Sequence, residues 1–484
     1  MLRKLFVIAT TLAASGEFVL IRAQDVSVVV SSQAGDRLAS KPSLHFGARA
    51  EAETPVFVIN ENVAYQRMAG FGASLLEAGL ICINSLPPDK QEDVFRSLFD
   101  PQTGAGYSAM KTVIGGTDFQ SAGPWFTYND TPGDVEMKNF SIARDLGPNG
   151  EITFIKRARK YGSFVLQAPM DYPPDWMLTS VTDRKKQNVD PKYYDALALY
   201  YLRYLQEYEK SGVFIDYLSL FNEPGVYTKI PYSDIRELLR SHVGPLFAKM
   251  GVKTKIQLSE APTREDAYKN YPIALDDPET LRYVGGLAYH GYDWPRTKGY
   301  GEIADVHKKY GQFPIWMTEV CYAYEAGVRK SMKLPRYDFE DGDFWARMIM
   351  SDLEAGASAW IYWNMILDEK GGPWAVSEIH GNPEPNVQHP VVIINRETKQ
   401  VTYTGLYYYL AHFSKYVRPG DRRIEAKGVG EKVRCMAFKT QAGKIIVQVV
   451  NSGSKSVACR LGWHDKNLQV NLPGISITTL TWQQ

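Results

Sequence analysis

Four carboxyl side chains stand where apolar runs give way to polar residues. Glu223 follows the run FIDYLSLF and is set in Asn-Glu-Pro-Gly. Glu319 closes FPIWMTEV, Glu260 lies in KIQLSEAP and Asp118 in VIGGTDF. A turn explains Asn and Pro at such a place, but not an ionisable group leaving the core. Two carboxyls facing one substrate can split a glycosidic bond: one protonates the leaving oxygen, while the other attacks or activates water. Any two of these four fit that description, so the pattern alone does not single out the pair.

The elements that must position them alternate. Short apolar runs at 68–74, 107–118, 163–171, 216–224, 255–262, 286–293, 313–320 and 358–365 are separated by stretches of helical periodicity. YYDALALYYLRYLQEY repeats bulky apolar residues at three- and four-residue steps, as a helix lying on a sheet does. Some eight strands alternating with helices predict a parallel (β/α)8 TIM barrel, whose chemistry collects at the C-terminal ends of its strands. On that reading Glu223 ends the fourth strand and Glu319 the seventh, across the mouth from each other. No Gly-rich phosphate fingerprint follows the first strand, which argues against a nucleotide-binding sheet.

Beyond about residue 420 the texture changes. RCMAFKT, KIIVQVV, SVACRLGW, LQVNL and ISITTLTW are short alternating strands of an attached antiparallel β-sandwich, and DVSVVVSS near the N-terminus has the same character. The expected organisation is a signal peptide over 1–23, N-terminal strands joining the sandwich over 24–55, the catalytic barrel over 56–415, and the C-terminal sandwich over 416–484. Arg3 and Lys4 before LFVIATTLAAS, then FVLI and Ala23, carry the signal reading and with it a secreted or periplasmic location. No other stretch approaches the ~20 apolar residues of a membrane span.

The 484 residues are 44% hydrophobic and 23% charged, with a net charge of +1, so nothing marks a partner surface for nucleic acid or anionic membrane. Aromatics make up 12%, enough to line a carbohydrate cleft as well as a core. Cys82, Cys321, Cys435 and Cys459 lack metal spacing, and no metal or cofactor is implied. Cys435 and Cys459 share the β-rich segment and could pair if the protein is exported, two free, partly buried thiols being the equally ordinary reading. Asn129-Asp-Thr and Asn139-Phe-Ser are glycosylation sequons under the same condition.

GFGAS at 70–74, FNEP at 221–224, TE at 318–319 and WN at 363–364 make the chain resemble glycoside hydrolase family 30, which includes the glucosylceramidases. FTYNDTPGDVEMKNFSI, GLAYHGY, WNMILDEKGGPW and LAHFSKYVRPGDRRI follow in the family's order along most of the chain. The resemblance implies a retaining mechanism with Glu223 as acid/base and Glu319 as nucleophile, and it leaves Glu260 outside the catalytic positions. It implies a carbohydrate or glycolipid substrate, glucosylceramide or a related β-glucoside. An endo-β-1,6-glucanase, a β-xylosidase or a galactosylceramidase-like hydrolase would use the same machinery, and a non-catalytic carbohydrate-binding barrel is the alternative of another class.

Further residues take roles from their chemistry. Lys111 is the expected cation beside Glu319, and Asn222 the donor to the sugar 2-hydroxyl. Asp118 is expected to accept from sugar hydroxyls, His290 and Tyr292 to line the mouth, and Trp363 to floor it. The chain also departs from the resemblance. Where glucosylceramidases carry Ser-Pro-Trp after the third strand, it reads APMDYPPDW: Met170 or Asp171 takes the place of the tryptophan, and Trp176 matches only the family's second one. Lys111 stands where those enzymes have Arg. The departures surround the sugar ring, so Asp171 and Trp176 are also expected in the substrate site.

Overall fold

A computed structural model of the chain describes residues 25–48, 56–181, 187–226, 228–293, 299–322, 338–374 and 388–484. The expected signal peptide lies outside the described residues, as do residues 49–55.

Eight parallel strands close into a barrel in sequence order. They are Gly70–Ser74, Ala109–Lys111, Val165–Pro169, Tyr217–Ser219, Lys255–Ala261, Val284–His290, Ile315–Glu319 and Ala359–Asn364. Most of their residues are buried whichever face they point to, as expected for a sheet with side chains filling its interior and helices covering its outside. The helix Tyr194–Lys210 shows the outer layer at work, burying Leu197, Tyr201, Tyr204, Leu205 and Tyr208 along one stripe. Inside, Tyr217 and Trp316 meet with ring centroids 4.5 Å apart and plug one end together with Ala109, Ala359 and Ile361. Polar side chains therefore gather at the other end, where register aligns Lys111 with Gln167 and His290 with Glu319.

Ten further strands form one largely antiparallel sheet. Its core takes Val26 and Val28 from the N-terminal side together with Val447, Leu461, Leu468 and Leu480, so distant strands face each other as in a sandwich. Asp25–Ser32 pairs with Ser476–Gln483, and the long strand Phe57–Arg67 pairs with Arg422–Gly428. Phe57–Arg67, assigned above to the barrel, thus belongs to the sandwich sheet, and the barrel's first strand begins at Gly70. Cys435 and Cys459 are both buried in this core as free thiols, not a disulfide.

Candidate active site

The barrel strands end earlier than the apolar runs do, and this decides where the carboxyls sit. The fourth strand stops at Ser219, yet the chain stays hydrogen-bonded to its neighbours. Asn222 N–H donates to the Met170 carbonyl at 2.8 Å, and Glu223 N–H to the Glu260 carbonyl at 2.9 Å. Glu223 has φ +44°, a left-handed conformation uncommon outside glycine, and Gly225 follows at +89°. The Asn-Glu-Pro-Gly stretch is therefore a turn held open over the barrel mouth, with the carboxyl of Glu223 projecting beyond the strand rather than ending it. Glu319 does end the seventh strand.

Lys111 ties the site together. Its ammonium is wholly buried and donates to Glu319 Oε2 at 2.7 Å, Glu260 Oε2 at 3.1 Å and Asn222 Oδ1 at 3.2 Å. It also lies 5.0 Å from the centre of the Trp363 ring, within cation–π range. The Tyr292 hydroxyl donates to the second oxygen of Glu319 at 2.8 Å, so both oxygens of that carboxylate are held. His290 Nδ1 lies 2.8 Å from Glu223 Oε1, and its Nε2 is 3.7 Å from both Glu260 and Glu319.

Burial pushes the Glu223 carboxyl up and Glu319 adds to the rise, while the bond from His290 opposes it. Burial alone would depress His290, but the facing carboxylates, Glu319 foremost, carry it up to about 9. Burial would likewise raise Glu260, yet Lys111 and then His290 pull it down to about 2. Against the same cost of burial, Glu260 and Glu319 hold Lys111 above its ordinary value. The charges balance when Lys111 and His290 face Glu260 and Glu319, and Glu223 is the neutral member. His290 then donates to one oxygen of Glu223 and leaves the other to hold the proton.

One oxygen of Glu223, one of Glu319 and a nitrogen of His290 all lie within 4.8 Å of one another. Three such atoms have the spacing of metal ligands, but the Nδ1 is already bonded to Glu223 and the Glu319 oxygens to Lys111 and Tyr292. The arrangement fits proton transfer and attack by a carboxylate across a short gap.

Lys111, Asn222, Glu223, His290, Tyr292, Glu319 and Trp363 are thus brought together as expected from their positions in sequence. Asp118 is not at a strand end: the second strand stops at Lys111, and Asp118 sits half-exposed in a turn of the following loop. Its charge still acts on Asp171, whose carboxyl is buried at the mouth. Trp176 is turned elsewhere, donating from Nε1 to the Asn129 carbonyl at 2.8 Å and packing edge-on against Tyr193. Asn129 is itself buried and donates to Asp134, which removes that sequon as an acceptor in the folded chain, whereas Asn139 is exposed.

Sequence reasoning set Glu260 aside and missed Gln167. Glu260 is the second carboxylate of the Lys111 ammonium, and Gln167 Nε2 donates to its other oxygen at 2.8 Å. The available signal was a glutamine and a glutamate inside buried strands, where a strong polar group is stable only when it is paired.

The Glycosyl hydrolase family 30 TIM-barrel domain matches residues 68–417, and the family 30 beta sandwich domain matches 420–480. A putative glucosylceramidase 1 of Caenorhabditis elegans is 27% identical over 416 residues, covering 82% of this chain and 76% of that one. The lysosomal acid glucosylceramidase of Mus musculus is 24% identical, over 87% of this chain and 82% of the mouse protein. An endo-1,6-beta-D-glucanase of Neurospora crassa is 25% identical over 73% and 71%. Among solved structures, SrfJ from Salmonella typhimurium superposes with a TM-score of 0.83 at 20% identity, over 95% of this chain and all of its own.

Proposed function

The chain belongs to glycoside hydrolase family 30 and is a glycosidase, and from that premise we propose that Glu223 and Glu319 hydrolyse a β-glycoside with retention of configuration. The observation that carries the proposal is the gap under 4.8 Å between oxygens of the two carboxyls. Retaining enzymes hold their carboxyls roughly 5–5.5 Å apart, while inverting ones need about 6.5–9.5 Å to admit a water between them.

In the first step a Glu319 oxygen forms a bond to the anomeric carbon as the bond to the leaving oxygen breaks. Glu223 gives its proton to that oxygen. Lys111 and Tyr292 fix the direction of the attacking carboxylate before substrate arrives, which keeps it in an attack geometry. In the second step Glu223, now ionised, takes a proton from water as the water displaces Glu319. The burial that raises Glu223 keeps it protonated for the first step, and the bond from His290 Nδ1 steadies its charge after the proton has left.

The substrate we propose is glucosylceramide or a related β-glucoside, on the strength of the glucosylceramidases among the relatives. A β-1,6-glucan is the second reading, favoured by the fungal glucanase and by a solved endo-beta1,6-glucanase with a TM-score of 0.79. Export is proposed on the N-terminal signal pattern. Among the described residues no helix is long and apolar enough to cross a membrane.

A 2-fluoro-β-glucoside with an activated leaving group should trap a covalent sugar on Glu319, read by mass spectrometry of the labelled peptide. Glu223→Ala should spare aryl substrates that need little protonation and slow poor leaving groups severely, with azide restoring turnover as the β-glycosyl azide. Label on Glu260, or equal losses for all leaving groups without rescue, overturns the assignment. Initial rates on glucosylceramide and on β-1,6-gluco-oligosaccharides separate the two substrate readings.

A further inference from the structure

Asp171 is a buried carboxyl with one oxygen that no hydrogen bond satisfies. It follows Met170, whose carbonyl accepts from Asn222 N–H, so its backbone is fixed against the turn that carries Glu223. The residue is 1% exposed, and its Oδ1 has no hydrogen-bond partner. Such atoms are rare in native folds, because burial strips their water and returns nothing.

The charges that act on Asp171 are those of the barrel mouth: Asp118, Glu319, Lys111 and Glu260. Lys111 already donates to Glu319, Glu260 and Asn222, and among the described residues no ion pair reaches Asp171. Burial first, and then Asp118 and Glu319, push Asp171 far above the usual carboxylate range. A carboxyl that keeps its proton offers one donor and one acceptor, the pair that a sugar hydroxyl also presents. The adjoining surface is aromatic. The Tyr172 ring meets Trp125 edge-on at 4.8 Å, and Trp125 lies so close to the Asp118 loop that a Cβ on Gly116 would be 2.9 Å from its ring.

We propose that Asp171 is a specificity-determining residue of this glycosidase, exchanging a hydrogen bond with one hydroxyl of the sugar held between Glu223 and Glu319. The proposal rests on the reading of those glutamates as the catalytic pair. Asp171 contributes no step to the chemistry; it decides which sugar ring fits. A wall of carboxyl beside aromatic rings rewards a hydroxyl at one ring position and rejects its absence or inversion, since a buried polar group is then left unmatched.

The test is kcat/KM for aryl β-glucosides lacking the 3-, 4- or 6-hydroxyl and for the 4-epimer, the galactoside, in the wild type, Asp171→Ala and Asp171→Leu. One deoxy sugar should lose roughly 10- to 100-fold in the wild type. In both variants that loss should shrink to about 2-fold, while losses for the other sugars stay as they were. Asp171→Leu, close in shape and free of the orphan oxygen, should also raise the melting temperature of the unliganded protein. A merely structural Asp171 would make it fall. Discrimination that is unchanged, or an equal slowing of every sugar, overturns the proposal. Calorimetric binding of the same sugars in a Glu319→Gln background reads the pairing without turnover, and loss of affinity for all sugars alike on adding Asp171→Ala counts against it there too. Turnover surviving Glu319→Gln overturns the catalytic pair instead.

Discussion

Lys111 shows how one side chain sets the state of several others. Its charge is buried, and removing one partner of a buried ion pair leaves the other uncompensated, at a cost of about 3–5 kcal/mol. Lys111→Met should therefore destabilise the protein by roughly that amount, because Glu260 and Glu319 would share a buried site with His290 as their remaining cation. Adding Glu260→Gln removes one of the two stranded anions. Urea denaturation of the two single variants and the double should show the double to be more stable than the sum of the single losses. Additive losses would mean that Lys111 and Glu260 are not energetically paired. The same pairing explains why the residue pattern alone does not separate Glu260 from the other three carboxyls. A carboxylate that braces a lysine inside a barrel and one that attacks a sugar look alike in one dimension; in the fold Gln167 takes the second oxygen of Glu260, while Glu319 meets Tyr292 and lies within 4.8 Å of Glu223.

At the scale of elements, the barrel was legible because its strands are short apolar runs at regular spacing; seven of the eight runs contain a barrel strand, and the run at 286–293 overlaps Val284–His290. The ends of the runs were less legible. The run at 107–118 holds only Ala109–Lys111 as strand, yet Thr112 and Ile114 still donate to the third strand's carbonyls. Burial continues past the end of the ladder, so hydropathy could not locate where the strand stops, and Asp118 was placed too early. Glu223 was misjudged in the same way. The first strand makes a sharper demand. A Cβ on Gly72 would lie 2.2 Å from the Ala109 carbonyl oxygen and 2.7 Å from the Met110 sulfur. The sulfur can move, but the backbone oxygen cannot without parting the first and second strands. Gly72→Ala should cost about 1–3 kcal/mol, as overpacked cores do. It should also lower kcat, because Lys111 ends the displaced strand. A variant with unchanged melting temperature and rate would show that the strands have room to separate.

Barrel and sandwich meet through the helix Gly405–Tyr416, capped by the Thr404 hydroxyl, which accepts from Tyr407 N–H. Phe413 packs on Phe71 of the first barrel strand with ring centroids 5.6 Å apart, while His412 faces the sandwich. His412 is wholly buried, with Nδ1 2.7 Å from Thr479 Oγ1 and Nε2 3.0 Å from Ser31 Oγ, thus joining both ends of the chain. Burial holds its pKa down at about 3 from an ordinary 6.5, so the folded protein keeps it neutral. The unfolded chain takes up a proton near 6.5 that the folded one refuses. The stability due to His412 is therefore fully present above pH 6.5 and is lost as pH falls through that value towards 3. For one proton the slope approaches about 1.4 kcal/mol per pH unit. Glu260 adds an acid loss below its ordinary 4.5, and Asp145 and Asp293, raised to about 6, titrate inside the same window, so the histidine's share is the difference between wild type and variant. His412→Gln keeps a donor and an acceptor without the titration. It should be about 1 kcal/mol less stable than the wild type at pH 7.5, and should close or reverse that gap by pH 5. Chemical denaturation at the two pH values measures the difference directly, and parallel loss in both proteins would show that His412 gains its proton without leaving the interface.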